Sequence, residues 1–381
     1  MNIKTYICFF TLILVCDVCN TDRKVAGQIE HFGANNDYAT LFDIEKRECA
    51  TLLSVRNPWQ GGAEVTHRYW LVPDSACMVQ GKESAVVILT PVRKVVCLST
   101  THIAMIGQLG EASTIIGVSG TDYVINPLVR RRIEEGRVKE VGYDSNLNSE
   151  LIASLDPDLV LVYGIGSESA GYISKLLEVN IPVVYISDYL EFHPLARAEW
   201  IKVFAALFDK GEVAESYFGK IADDYESIKT HINENVQIRP RILTGLPYKD
   251  TWFVSPGNSY MSYLISDAGA NYIWKDTRSE LSMPMSLESV FMRALDSDIW
   301  INIGSVVSLN EIISIDNRFS DLPPVKMHKL YNNIALLNPL GGNDYWESGI
   351  IHPEILLKDL ASIFHPDIFP EYEPLFYKKI N

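Results

Sequence analysis

The sequence predicts an α/β protein built from two similar lobes, joined by a long helical stretch and preceded by a β-rich extension. Three observations carry this. A phrase occurs twice: Ser149-Glu150-Leu151 leading into Leu155-Asp156-Pro157-Asp158-Leu159-Val160, and Leu287-Glu288-Ser289 leading into Leu295-Asp296-Ser297-Asp298-Ile299-Trp300. Each copy reads as a short helix opening on a glutamate, a stop, then an apolar strand. The copies begin at positions 148 and 286, about 138 residues apart, which is too far for a solenoid repeat and fits two lobes. Second, short β-branched runs alternate with helical stretches, as in a parallel sheet covered by helices. Third, residues 194–233 read as a long helical stretch between the two copies.

The elements follow in order. Residues 1–19 resemble an export leader: Lys4, then an apolar run over residues 7–15 too short to span a bilayer. Cys16 or Cys19 stands where a lipoprotein cysteine would be acylated; plain secretion is the alternative. Residues 20–92 form an extension with antiparallel strands expected over 39–44, 50–55 and 66–72 and a turn at 57–62. Residues 93–193 form the first lobe, with strands at 95–98, 115–118, 159–162 and 183–186. Residues 194–238 form the bridge, with Val213, Tyr217, Ile221, Tyr225 and Ile228 on its apolar face. Lys210-Gly211 is a candidate break. Residues 239–381 form the second lobe, with strands at 241–244, 299–303 and 334–337 and a last helix near 353–363. A helical bridge without a Gly/Ser linker implies a stiff hinge and small lobe movements.

Composition excludes some functions. The chain carries a net charge of −15 over 381 residues, which repels nucleic acid. Beyond the leader only Cys49, Cys77 and Cys97 remain, and their spacing matches no zinc pattern. Cys97 sits inside an apolar run and reads as core. Cys49 and Cys77 leave a disulfide open in an oxidising compartment.

In parallel α/β lobes, ligands bind at the loops after the carboxyl ends of the strands. The residues there are Thr101, His102, Asp122, Tyr123, Tyr143, Asp144 and Tyr163 in the first lobe. In the second they are Trp252, Phe253, Met283, Tyr345 and Trp346. Aromatic and Met side chains suit a large, partly flat ligand, although local packing would also account for Trp252, Phe253 and Trp346. His102 equally fits a helix start. Tyr143 or Tyr163 has the chemistry to ligate ferric iron in haem or a chelate. Gly164-Ile165-Gly166 lacks the third glycine of a dinucleotide fingerprint. No phosphate loop, nucleophile elbow or His-Glu-x-x-His occurs. The cleft loops offer no evident set of bare-metal ligands and no catalytic pair.

The stretches at 93–99, 115–119, 141–150, 155–160, 181–185 and 256–274, together with Ser286-Leu287-Glu288, resemble the substrate-binding proteins of ABC importers for ferric siderophores, haem and cobalamin. The resemblance covers residues 93–365. It implies two Rossmann-like lobes bridged by a long helix, the class III periplasmic-binding fold, with ligand between the lobes. It also implies a partner, the ABC permease and ATPase complex of the inner membrane, with Glu150 and Glu288 docking onto permease arginines. Exposed carboxylates at helix starts suit that role, and plain helix stabilisation is the competing account. The extension lies outside the family pattern, and the tail from Gly341 resembles a Bacteroides-type lipoprotein branch. The expectation is therefore a monomeric, membrane-anchored periplasmic lipoprotein with no cofactor of its own, capturing a ferric chelate, haem or cobalamin. An enzyme or metal chelatase on the same scaffold, or a bare-metal binding protein, is the alternative.

Overall fold

Why the extension belongs to the body of the protein is visible in its first described residues. The computed structural model describes residues 36–47, 49–73, 77, 85–143, 146–164, 169–178 and 180–381, with the backbone alone at 169–172. The leader with Cys16 and Cys19, and Asp144, lie outside the described residues. Two buried carboxylates hold residues 37–41. Glu199 accepts from the N–H groups of Asp37, Tyr38 and Ala39 at 2.7–2.9 Å and from Lys202 at 3.0 Å. Glu191 accepts from the N–H groups of Thr40 and Leu41, both at 2.9 Å, and from the indole of Trp200. A buried carboxylate is tolerable only when its lone pairs are filled in this way.

The extension then forms β1 (Phe42–Arg47), β2 (Ala50–Arg56), β3 (Thr66–Val72) and β4 (Val86–Leu89), ordered β1-β2-β3-β4. The first three strands pair antiparallel, as expected. The add-on is not antiparallel throughout, because β4 joins β3 in parallel. Its inner face puts Phe42, Leu53 and Val55 at 0% exposure in the main core. Cys49 and Cys77 are bonded, with Cα atoms 5.9 Å apart, and Cys97 is a free, buried thiol.

The first lobe alternates β5 (Val95–Cys97), α1 (Thr100–Gln108), β6 (Ile115–Val118), α2 (Pro127–Glu134), β7 (Lys139–Glu140), α3 (Ser149–Leu155), β8 (Leu159–Val162), α4 (Ser169–Glu178) and β9 (Val183–Tyr185). Its sheet is all parallel, ordered β7-β6-β5-β8-β9. β5, β8 and β9 are buried at every residue, the reason their sequences are apolar without alternation.

Three helices follow: α5 (Pro194–Glu199), α6 (Ile201–Phe208) and α7 (Gly211–Asn235). Asp209, at φ 57°, ends α6 in the left-handed region, next to the break anticipated at Lys210-Gly211. Leu195, Trp200, Ile201, Phe204 and Leu207 are at 0% exposure, each stabilising the seam by about 1.5–3 kcal/mol. On α7 the buried stripe is Ala214, Phe218, Ile221, Tyr225 and Ile232. Tyr217 and Ile228 flank it, and Val213, placed on the apolar face from the sequence, points outward at 46% exposure.

The second lobe contains β10 (Arg241–Thr244), β11 (Pro247–Tyr248), β12 (Thr251–Val254), α8 (Tyr260–Asp267), β13 (Asn271–Tyr272), β14 (Met283–Ser286) and α9 (Leu287–Ala294). It continues with β15 (Ile299–Ile301), α10 (Leu309–Ile315), α11 (Pro323–Lys326), β16 (Leu330–Asn332), α12 (Asp344–Glu347), α13 (Pro353–Phe364) and β17 (Lys378–Lys379). The main sheet is ordered β13-β10-β15-β16-β17, parallel except for β17, and β11-β12-β14 form a small antiparallel sheet. The strand expected at 334–337 is absent. The strand is β16, which ends on Asn332, a buried residue whose amide accepts from Ile303 N–H at 2.8 Å and donates to the carbonyls of Gly304 and Val306.

The repeated phrase now has a physical meaning. Asp158 accepts from the N–H groups of Arg93 and Lys94 at 2.7 and 2.9 Å, fastening the entry to β5. Asp298 accepts from Arg241 N–H at 2.7 Å, fastening the start of β10. Each copy ties its own lobe's first strand to the strand beside it.

Candidate functional site

A cavity of about 450 Å³ opens where strands of the second lobe end. Its walls come from Thr244 and Gly245 at the end of β10, Phe253 on β12, Asn302 and Gly304 after β15, and Tyr345 and Trp346 on α12. Thr101, at the start of α1, and Arg197, on α5, close it from the first lobe and the bridge. The cavity therefore sits at the carboxyl ends of strands between the lobes.

Arg197 is the one cation among the described residues of this lining. Its Nε donates to the Glu191 carbonyl at 3.1 Å and its Nη2 to the Tyr189 carbonyl at 2.7 Å. Its guanidinium carbon lies 4.1 Å from the Tyr260 ring centre, within reach of a cation–π interaction. Two edges are thus committed, and Nη1 has no hydrogen-bond partner among the described residues. Buried Asp188, whose carboxyl desolvation pushes up to about 6, interacts electrostatically with Arg197. A guanidinium so fixed presents a planar donor for a carboxylate or phosphate.

Of the sequence-proposed residues, Thr101, Phe253, Tyr345 and Trp346 line this cavity. Tyr345 is almost fully buried, and Trp346, at 62% exposure, stands T-shaped to it at 4.8 Å. Seven other described residues among those proposed, His102, Asp122, Tyr123, Tyr143, Tyr163, Trp252 and Met283, are not in this lining. His102 is 1% exposed inside α1, its ring 6.0 Å from Phe204, and both ring nitrogens lack partners among the described residues. Desolvation lowers its pKa to about 3, so it is a neutral core residue. Trp252 is 0% exposed, packed on Trp300 and Phe319, and its indole donates to the Thr244 carbonyl at 3.2 Å. Met283 lies on β14 opposite Val254 and is half-buried, away from the lining. Tyr163 is half-buried after β8. Asp122, Tyr123 and Tyr143 are exposed, with the two tyrosine rings 6.4 Å apart. Among the described residues no group of three or more His, Cys, Asp or Glu is placed to hold a metal ion.

The sequence reading missed Arg197, Tyr260, Asn302 and Asn333. An arginine inside an apolar helical run was the available signal, since such a charge needs partners. The lobes also touch directly beside the cavity. Glu347 of α12 accepts from the N–H groups of Ile125 and Asn126, both at 2.7 Å, and Asn338 donates to the carbonyls of Asp122 and Val124. Burial pushes the Glu347 carboxyl up to about 7 against these bonds.

Glu150 and Glu288 occupy the same place in each lobe, the first turn of α3 and of α9. Both are exposed. Asn148 and Ser286 cap the two helices by accepting from Leu151 and Ser289 N–H, so neither glutamate is needed as the cap. Glu288 has Arg318 at 3.8 Å.

Two lobes built on largely parallel sheets, a helical bridge and a ligand-sized cavity at the seam make up the described body. The family model described as Periplasmic binding protein matches residues 95–330, and the chain belongs to that family. An uncharacterized lipoprotein of Methanocaldococcus jannaschii is 28% identical over 304 residues, covering 77% of this chain and 70% of the relative. Among solved structures, a periplasmic heme binding protein from Pseudomonas aeruginosa aligns with TM-score 0.58 at 16% identity, over 76% of this chain and 98% of that one. A periplasmic vitamin B12 binding protein of Vibrio cholerae aligns with TM-score 0.50 at 16% identity, over 74% and 99%. The class III periplasmic-binding fold expected from the sequence is the fold observed. No helix among the described residues is long and apolar enough to cross a membrane.

Proposed function

We propose that this chain is the substrate-binding component of an ABC importer, a binding protein and not an enzyme, which captures a large metal chelate between its lobes. The observation that carries the reading is the inter-lobe cavity with aromatic walls and Arg197 at its seam. Aromatic faces suit a flat ligand, and a held guanidinium suits an anionic substituent. Haem, with propionates on a flat ring, and cobalamin, with a phosphate beside its corrin, share both features, anionic ferric siderophores share the second, and structural neighbours are described as binding heme and vitamin B12. The protein works outside the cytoplasmic membrane, tethered through lipid on Cys16 or Cys19. The lobes at 93–193 and 239–381 present Glu150 and Glu288 to arginines of the permease. The disulfide between Cys49 and Cys77 supports an oxidising, extracytoplasmic setting.

Equilibrium dialysis against haemin, cyanocobalamin and ferric enterobactin tests the reading. One of the three binds with 1:1 stoichiometry, and its binding is weakened in the Arg197→Met variant. Failure of all three to bind contradicts it.

A further inference from the structure

We infer that the N-terminal β extension builds a second chamber of the ligand site, which receives a polar arm of the chelate while the arm's anionic group sits on Arg197. The inference rests on the chelate-binding reading above and specifies the shape and chemistry of the ligand.

A second cavity, of about 400 Å³, adjoins the first and shares Arg197, Ser255, Ser259 and Tyr260 with it. The stacked Arg197–Tyr260 pair is therefore a seam between two chambers. The outer wall of the second chamber is the turn at residues 57–63, between β2 and β3. That turn is firmly seated. Gln60 N–H donates to the Gly164 carbonyl at 3.1 Å, just past the end of β8. The ring of Trp59 lies 5.4 Å from Tyr185 at the end of β9, and a side chain at Gly164 would collide with Trp59. The extension thus covers the carboxyl ends of β8 and β9, where a lobe of this kind meets its ligand. The opposite wall is the loop at 279–282 of the second lobe.

Both chambers set aromatic rings beside neutral polar side chains. Phe253, Tyr345 and Trp346 give the first its aromatic surface. The second sets Gln60, Ser279 and Ser282 beside the rings of Trp59, Tyr189 and Phe192, with Glu280 as its exposed acid. Such a lining solvates amides and hydroxyls and disfavours a second anion. Nη1 of Arg197, at the seam, is the donor left for the one anionic group. The matching ligand has a flat or apolar chelate body, one carboxylate or phosphate beside it, and a polar arm beyond.

Cyanocobalamin and dicyanocobinamide separate the arm from the body, because the second keeps the corrin ring but lacks the phosphate-linked nucleotide. The full chain is titrated with both, alongside the variants Ser282→Trp, which fills the second chamber, and Gln60→Ala, which removes an arm contact. Both positions lie in loops, and a thermal melt verifies folding. The unaltered protein is expected to bind cyanocobalamin at least tenfold more tightly than dicyanocobinamide. Ser282→Trp is expected to weaken cyanocobalamin at least tenfold while leaving dicyanocobinamide within about twofold, with Gln60→Ala acting in the same direction more mildly. Equal binding of the two probes, or equal weakening of both by Ser282→Trp, overturns the second chamber. Binding of haemin alone, unaffected by Ser282→Trp, also overturns it while leaving the chelate reading intact. Binding of no chelate overturns both.

Discussion

The guanidinium of Arg197 lies 4.1 Å over the ring of Tyr260, and the two side chains stand together between the cavities on either side of them. Tyr260 begins α8 of the second lobe and Arg197 belongs to α5 of the bridge. The contact therefore joins two parts of the chain at the point where ligand is expected. Hydrogen bonds to a charged group contribute about 1.5–3 kcal/mol, so Arg197→Met is expected to weaken chelate binding by about ten- to hundredfold. Arg197→Lys is expected to recover little, because an ammonium lacks the planar fork and stacks poorly. Dialysis with each variant measures this.

Glu150 and Glu288 are exposed at equivalent helix starts that other residues already cap. Changing both to Ala is expected to leave melting temperature and ligand affinity nearly unaltered while abolishing stimulation of the partner ATPase. Lys at both positions is expected to do worse than Ala, since it sets like charges face to face. ATPase assays with the reconstituted transporter decide. An Ala/Ala protein that stimulates normally identifies these residues as helix-start residues only.

His102 is neutral in the fold, with its pKa lowered by burial to about 3 from 6.5. The unfolded chain binds a proton there that the folded chain refuses. Stability from this site is thus complete above about pH 6.5 and is lost as pH falls toward 3, by at most about 1.4 kcal/mol per unit. His102→Leu is expected to remove that acid dependence and to raise stability, since it also deletes two unpartnered buried nitrogens. Denaturant titrations of both proteins at pH 7 and pH 5 give the difference.

Glu347 behaves in the opposite sense. Its carboxyl is raised from 4.5 to about 7, chiefly by burial, although it bonds Ile125 and Asn126 across the lobes. The folded protein holds this proton more tightly, so the contribution is full below about pH 4.5 and is lost as pH rises to about 7. Glu347→Gln is expected to flatten that part of the profile. The difference between wild type and variant, followed from pH 5 to 8, isolates it from His102.

Much of the fold was legible because buried parallel strands leave runs such as residues 159–162, apolar at every position. β16 was missed for the complementary reason: it is short and ends on Asn332, a polar residue made tolerable by three hydrogen bonds that no local pattern reveals. β4 was missed because Val86–Leu89 is short and pairs with β3 in parallel. In the cavity, loop position found Phe253, Tyr345 and Trp346. It misplaced Trp252, because alternation along β12 sends Phe253 out at 55% exposure and Trp252 into the core. Arg197 escaped because its partners are backbone carbonyls of residues 189 and 191, brought to it only by the chain's turn into α5.

Native mass spectrometry of the protein purified from its own cell envelope tests the central claim most directly. The account predicts a 1:1 complex carrying a metal chelate of several hundred daltons or more, lost in the Arg197→Met protein. A protein that carries only a bare metal ion, or a small organic molecule without metal, would contradict it.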